Sequence, residues 1–303
     1  MARFEPYLPP LRVPVRTIGA RTFDFSRHVA VMAVVNRTPD SFFDQGRTYA
    51  LEAAVDACFE AVVLGADWVD IGGAPFAPGD PVPVEDEIER VTPVVSRLRE
   101  GSDVVISVDT FHARVARASI DAGATVINDT TGLSDPDLAR VVADSAATLV
   151  ITHSLAEPRT VYPRPQYGDV VAEVSAFLLD RVDRALAAGV PEERIVIDPG
   201  HDLNKNTLHS LELTRRLSEL ADLGYPVLAA VSNKDFIGET LDAPRSERLE
   251  GSLAAAVVSI VNGARIIRMH DVHASVAATR MTEAILGLRA PAYLKHNMGD
   301  VNE

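Results

Sequence analysis

The side chains able to do chemistry stand at a recurring place in this sequence, the ends of short β-branched runs. HVAVMAVVN (28–36) ends in Asn36, WVDIGG (68–73) carries Asp70, VVISVDT (104–110) carries Asp109, and ATVINDT (124–130) carries Asn128 and Asp129. TLVITHS (148–154) brings His153, RIVIDPG (194–200) Asp198, PVLAAVSN (226–233) Ser232 with Lys234 just beyond, and ARIIRMHD (264–271) Arg268, His270 and Asp271. Asp109, Asn128 and Asp198 are acceptors for ring N–H and amino groups, and Lys234 is a donor to a ring carbonyl. Arg268 and His270 suit a phosphate, with Asn36 and Mg2+ completing that cluster. Together they fit a planar, amide-rich heterocycle that carries an anionic group. Any one of these residues could equally cap a helix or close a turn; their shared placement argues for a site.

Other chemistries fit less well. A metal hydrolase on a strand-rim scaffold would use a His-x-His pair at the end of the first strand, where Val34-Val35-Asn36 stands instead. His270 and His273 make an H-x-x-H, but it straddles a strand end and a helix start, which is poor ligand geometry. A Schiff-base lysine belongs on a strand in an apolar pocket, whereas Lys205 and Lys234 both fall just past strands. Neither GxGxxG nor GxxxxGK[ST] occurs, which removes the usual dinucleotide and nucleoside-triphosphate signals.

The eight runs must be held by something, and the segments between them read as helices. Residues 51–64, 112–122, 169–188, 208–223 and 248–262 have helical periodicity and are each followed by glycine, at 65, 123, 189, 224 and 263. Strand and helix alternating eight times predict an α/β chain folded as a (β/α)8 TIM barrel, with an open doubly wound sheet as the rival. In a barrel, every polar strand end falls on one rim, where substrates bind. The barrel is expected over 28–289. Residues 1–27, with LRVPVRTI and RTFDF, read as an N-terminal β-hairpin extension closing the bottom, and 290–303 as a loose C-terminal tail.

Composition narrows the partners. Of 303 residues, 29 are Lys or Arg and 43 Asp or Glu, for a net charge of −14, which argues against nucleic acid or an anionic membrane as partner. The single Cys58 excludes an internal disulfide framework. No signal-type or membrane-length apolar run is present, and a cytoplasmic location is expected.

The motifs N-R-T-P-D-S-F (36–42), S-V-D-T (107–110), I-N-D (127–129), D-P-G (198–200), S-N-K-D-F-I-G (232–238), R-L-E-G-S-L-A-A-A (248–256) and R-M-H-D (268–271) together resemble dihydropteroate synthase, in order and over nearly the whole chain. The resemblance implies a barrel that joins 6-hydroxymethyl-7,8-dihydropterin diphosphate to p-aminobenzoate with release of diphosphate, usually as a homodimer. It places pterin contacts on Asp109, Asn128, Asp198 and Lys234. Diphosphate contacts fall on Asn36, Arg268 and His270, with Asn36 also toward Mg2+. Catalysis then rests on Asn36, Lys234, Arg268 and His270. Second-substrate contacts fall on Phe42, Pro78, Leu203 and Ser232.

The departures gather at that second substrate. Where the family reads G-G-E-S-T-R-P-G, this chain has Gly72-Gly73-Ala74-Pro75-Phe76-Ala77-Pro78-Gly79, so the loop arginine is missing. The family's G-F-G-K becomes Asp202-Leu203-Asn204-Lys205, its S-R-K-S becomes Ser232-Asn233-Lys234-Asp235, and its M-H-M becomes Thr152-His153-Ser154. Such a pattern is similar to divergent second paralogues of actinobacteria. Two functions are therefore expected as alternatives: a synthase of weak or lost activity, or an inactive or repurposed paralogue that binds a pterin or another phosphorylated ligand. Methyltetrahydrofolate-dependent corrinoid methyltransferases share the barrel but lack the T-P-D-S-F loop.

Overall fold

The computed structural model describes residues 6–37, 50–162 and 164–297. Two short strands, β1 (Val15–Ile18) and β2 (Arg21–Asp24), form an antiparallel hairpin. Eight parallel strands follow: β3 (Ala30–Asn36), β4 (Trp68–Gly72), β5 (Val105–Asp109), β6 (Val126–Asp129), β7 (Thr148–Thr152), β8 (Ile195–Asp198), β9 (Val227–Ala229) and β10 (Ala264–Met269). They close in the order β10-β3-β4-β5-β6-β7-β8-β9. Because β10 pairs with both β3 and β9, the sheet has no edge, and the open-sheet alternative is excluded.

The helices are α1 (Leu51–Val63), α2 (Val84–Gly101), α3 (Ala113–Asp121), α4 (Leu138–Ala143), α5 (Val170–Ala187), α6 (Thr207–Arg215), α7 (Leu217–Ala221), α8 (Asp235–Leu241), α9 (Leu249–Val261) and α10 (Val272–Ile285). The glycines expected to stop helices do so in left-handed backbone, for example Gly123 at φ +114 and Gly263 at φ +101, where a side chain would be strained. The single helix expected over 208–223 is two, α6 and α7. The chain breaks at Arg216, which leaves helical geometry while its guanidinium binds Asp169, Glu212 and Glu219. The last run before the seventh crossover is also shorter than expected. Only Val227–Ala229 stays in the ladder, which meets β8 at one residue pair and shifts register against β10 beside Arg265.

Alternation along each strand sorts the barrel into layers. Val31, Val69, Ile106, Ile127, Leu149 and Ile197 point outward into the shell packed under the helices. Ala30, Met32, Trp68, Val105, Val126, Val150, Val196, Leu228 and Ile266 point inward. Ile18, Phe23 and Phe25 of the hairpin segment join this inner cluster, so the extension plugs the bottom of the barrel as expected. The Phe23 ring meets Trp68 edge to face at 6.1 Å. Above this apolar plug the next inward position on each strand is two residues on, and there, except at Val34 and Ala230, the sequence turns polar.

Cys58 is fully buried and its thiol is pushed up to about 12 by burial. No helix among the described residues is long and apolar enough to cross a membrane.

Candidate functional site

Stepping two residues along each inward face builds the site. Trp68 leads to Asp70, Val105 to Ser107 and Asp109, Val126 to Asn128, Val196 to Asp198, Ile266 to Arg268 and His270, and Met32 to Val34 and Asn36. The register brings these residues level: Val34 is opposite Asp70, Asp70 opposite Ser107, and Asp109 opposite Asn128. Asn36, Asp109, Asn128 and Asp198 thus stand at the C-terminal ends of parallel strands, with Ser232, Lys234, Arg268 and His270 at the same end.

At the centre lies an ion cluster. Arg268 Nε donates to Asp70 Oδ2 at 2.6 Å and its Nη2 to Asp109 Oδ2 at 3.1 Å. Asp70 is completely buried and also accepts from Ser107 Oγ at 2.5 Å and Asn128 Nδ2 at 3.2 Å. A buried carboxylate satisfied this fully is a rigid post that fixes the arginine. The bonds to Asp70 and Asp109 use Nε and Nη2 and leave Nη1 outside both. Asp70 was legible as a polar strand end, but its role as the arginine's anchor was not.

Three acceptors, two of them buried, stand at the strand ends. Asn128 is 2% exposed and its Oδ1 has no hydrogen-bond partner. Asp198 is 4% exposed and accepts from Gly200 N at 2.7 Å; burial pushes its carboxyl up to about 6, against the pull of that N–H and of Lys234. Asp109 is also held above the usual carboxylate range. Burial is the main cause, opposed by Arg268 and reinforced by Asp70 and Glu87. Glu87 on α2 was not anticipated: it is fully buried, and burial raises it to about 7 against the pull of the Thr110 hydroxyl and the charge of Arg90. Asp109, Asn128 and Asp198 make a floor of hydrogen-bond acceptors, the setting in which bound N–H donors gain most.

Above the floor is a cavity of about 450 Å3, lined by eight of the expected residues: Asn36, Pro78, Asp109, Leu203, Ser232, Lys234, Arg268 and His270. Asn128 and Asp198 sit beneath it. Phe42 lies outside the described residues. Ser232 Oγ accepts from His270 N at 3.1 Å and lies 3.0 Å from His270 Nδ1, which orients the imidazole. Asn36 Oδ1 lies 3.0 Å from where a Cβ at residue 72 would stand, so Gly72 leaves the asparagine room at the mouth. Arg37 donates to the carbonyls of Glu89 and Arg90 on α2 and does not line the cavity.

The outer half of the cavity has walls that sequence reading did not assign: Phe76, Tyr162, Asp202, Asp235 and Arg245. Four rim loops are joined one to the next by side chains. Arg159, after β7, donates from Nε to Asp80 O at 2.9 Å and from Nη1 to Ala77 O, while backbone bonds link it to Phe76 and Gly79 in the loop after β4. Asn204, after β8, accepts at Oδ1 from Ser154 Oγ, Leu155 N and Ala156 N at 2.9, 2.7 and 3.2 Å. Asp202 Oδ2 accepts from Asp235 N at 2.5 Å and Phe236 N at 3.3 Å, at the start of α8. Lys205 is buried under the same loop and donates to Gly200 O, Leu203 O and His153 Nδ1 at 2.9, 2.9 and 2.8 Å. Asp202 and Asn204 both hold left-handed backbone, φ +65 and +53. No long-range pattern in the sequence announces such contacts.

Comparison with known proteins agrees with this architecture. Residues 32–270 match the model of a family described as "Pterin binding enzyme". The chain is 46% identical over 267 residues to the "Inactive dihydropteroate synthase 2" of Mycobacterium tuberculosis, covering 86% of this chain and 84% of that one. It is 39% identical over 263 residues to the dihydropteroate synthase of Escherichia coli K12, covering 86% and 93%. Among solved structures, Xanthomonas albilineans dihydropteroate synthase with 4-aminobenzoic acid superposes with a TM-score of 0.83 at 40% identity, over 90% of this chain and 98% of that one.

Proposed function

We propose that this chain, which belongs to the pterin binding enzyme family, binds a 6-hydroxymethyl-7,8-dihydropterin diphosphate at the barrel mouth and has weak or lost dihydropteroate synthase activity towards p-aminobenzoate. One observation carries the first half. Asn128 Oδ1, buried and without a partner, stands with the buried carboxylate of Asp198 at the polar floor. Such acceptors are costly empty and favourable when they receive the amino and ring N–H groups of a pterin.

In this reading Asp198 and Asn128 hold the aminopyrimidinone edge, and Lys234 donates to the ring carbonyl. Arg268, through Nη1, and His270, oriented by Ser232, stabilise the diphosphate as the methylene C–O bond breaks. The ring nitrogens delocalise the developing cation. The aniline nitrogen forms the new C–N bond and then loses a proton to solvent. The donor set also fits Mg2+: among the described residues no cluster of His, Cys, Asp or Glu could cage a metal, while Asn36 Oδ1, seated over Gly72, is the kind of single hard oxygen that suffices when diphosphate supplies the rest. Bound there, Mg2+ would neutralise charge on the leaving group.

The second half of the proposal rests on the outer wall. Ala77, Leu203 and Asn233 stand where the resemblance implies Arg, Phe and Arg. Two charge-assisted contacts and one aromatic contact, at about 3 to 6 kcal/mol if additive, amount to roughly two to four orders of magnitude in kcat/KM. The name of the Mycobacterium tuberculosis relative favours the alternative, a paralogue that binds without turnover. Calorimetry with pterin diphosphate and Mg2+, followed by a dihydropteroate assay, tests both. Binding with turnover two to four orders of magnitude below that of the Escherichia coli enzyme is expected. Ordinary turnover would show that the rebuilt wall works, and no pterin diphosphate binding would overturn the reading. A cytoplasmic homodimer is part of the proposal: Val258 and Val261 on α9 and Met281 and Ile285 on α10 are apolar and 38% to 65% exposed on adjacent helices.

A further inference from the structure

We propose that Arg248 is a positioning residue for the first ligand: from the start of α9, and together with Ser252, it holds the turn that carries Lys234. The proposal rests on the reading that Lys234 donates to the ring carbonyl. β9 is the shortest strand of the barrel. It pairs with β8 at one position, shifts register against β10, and ends at Ala229, five residues before Lys234. Asn233, between them, holds left-handed backbone at φ +56. Lys234 then begins α8 as its N-cap, lines the cavity and acts with its charge on Asp198. The ladder therefore gives little order to this turn, and a long side chain on a loose turn spends much of its time away from any one acceptor.

The order comes from α9. Arg248 Nη1 lies 3.0, 3.2 and 3.0 Å from Asn233 O, Lys234 O and Asp235 Oδ1 and shares its two hydrogens among them, while Nε donates to Ala243 O at 3.1 Å. Ser252 Oγ, one helical turn further on, accepts from Asn233 N at 3.0 Å. The amide and the carbonyl of the left-handed residue are thus both fixed, and so is the carbonyl of Lys234 itself. The guanidinium lies against Gly238, where a Cβ would collide with its Nη2. The glycine that ends S-N-K-D-F-I-G therefore leaves room for the arginine that begins R-L-E-G-S, and the second motif has a task that ligand contact does not explain, since Arg248 does not line the cavity. Asp235 answers the charge of Arg248, so what the arginine brings is a planar fork that spans separate acceptors. A lysine at 248 keeps the charge but presents one compact ammonium, which cannot span them.

Calorimetry of pterin diphosphate with Mg2+ on the whole protein tests this in a double-mutant cycle of Arg248→Lys and Lys234→Met. Lys234→Met is expected to lower affinity about ten- to a hundredfold, the range for a lost charge-assisted bond. Arg248→Lys is expected to lower it about tenfold in the parent protein and less than about twofold where residue 234 is already Met. An arginine that only supports the fold costs the same in both backgrounds. Ser252→Ala, which leaves the guanidinium in place, should repeat the pattern at about fivefold, and it decides the matter if a thermal melt shows Arg248→Lys unfolded. Equal losses in the two backgrounds, no loss in the parent background, or unchanged affinity in Lys234→Met overturns the proposal while pterin binding stands. Absence of a pterin diphosphate isotherm in the parent protein overturns both.

Discussion

Replacing Asp198 with asparagine should make the empty protein more stable and the ligand bind worse. The carboxyl is 4% exposed and burial lifts it from 3.8 to about 6. At about 1.4 kcal/mol per pH unit, that gap makes the ionised group a burden of about 3 kcal/mol on the folded state. A raised carboxyl contributes fully below the unfolded value and loses that contribution as pH rises through the folded one, so the burden is complete above about pH 6 and absent below about pH 4. Asparagine keeps the oxygen that accepts from Gly200 N but forgoes the charge, a loss of about 1 kcal/mol. The net gain at pH 8 is about 2 kcal/mol, or about 3 °C in Tm for a chain of this length. Pterin diphosphate affinity should fall about a hundredfold or more, since an amide donor then opposes a ring donor. Thermal unfolding of both proteins at pH 8, 6 and 4, with calorimetry at pH 8, decides it. A variant less stable at pH 8, a Tm difference independent of pH, or unchanged affinity would refute the reasoning.

Two further substitutions probe the posts around the site. Arg268→Ala strands the buried carboxylate of Asp70 together with Asp109, and urea unfolding should show a loss of about 3 to 5 kcal/mol; a loss below about 1 kcal/mol would mean the pair does not hold the rim together. Gly200→Ala puts a Cβ at φ +67 and 2.2 Å from the carbonyl oxygen of His153, so it should lower Tm by several degrees or abolish soluble expression. A parental Tm would mean the turn after β8 is built differently.

The strand ends were readable because alternation needs only local sequence: once Trp68, Val105, Val126 and Ile266 are inward, Asp70, Asp109, Asn128 and Arg268 follow by counting two. The pairing among them was not readable. Arg268 lies 198 residues from Asp70, and nothing local says which carboxylate holds it and which faces the ligand. Helix stops were legible through glycine, whereas the break at Arg216, whose guanidinium reaches the distant carboxylate of Asp169 just before α5, has no glycine or proline to announce it. The outer wall was hardest. The sequence shows that Ala77, Leu203 and Asn233 differ from the family, but Arg159 and Tyr162 come from a loop without motif and reach the wall only through tertiary bonds.

The loops tied by Arg159, Asn204 and Asp202 bear on how far this rim can be altered one residue at a time. An arginine placed at 77 would enter a loop whose carbonyl is already bound by Arg159. A glycine placed at 204 would release Ser154, Leu155 and Ala156 together, and one at 202 would uncap α8. Glycine at 202 or 204 breaks ties between loops, so the effects of changes among these positions are strongly non-additive. The rim therefore behaves as a linked set: a change at 202 or 204 alone loosens its neighbours, and rebuilding this wall requires several changes at once.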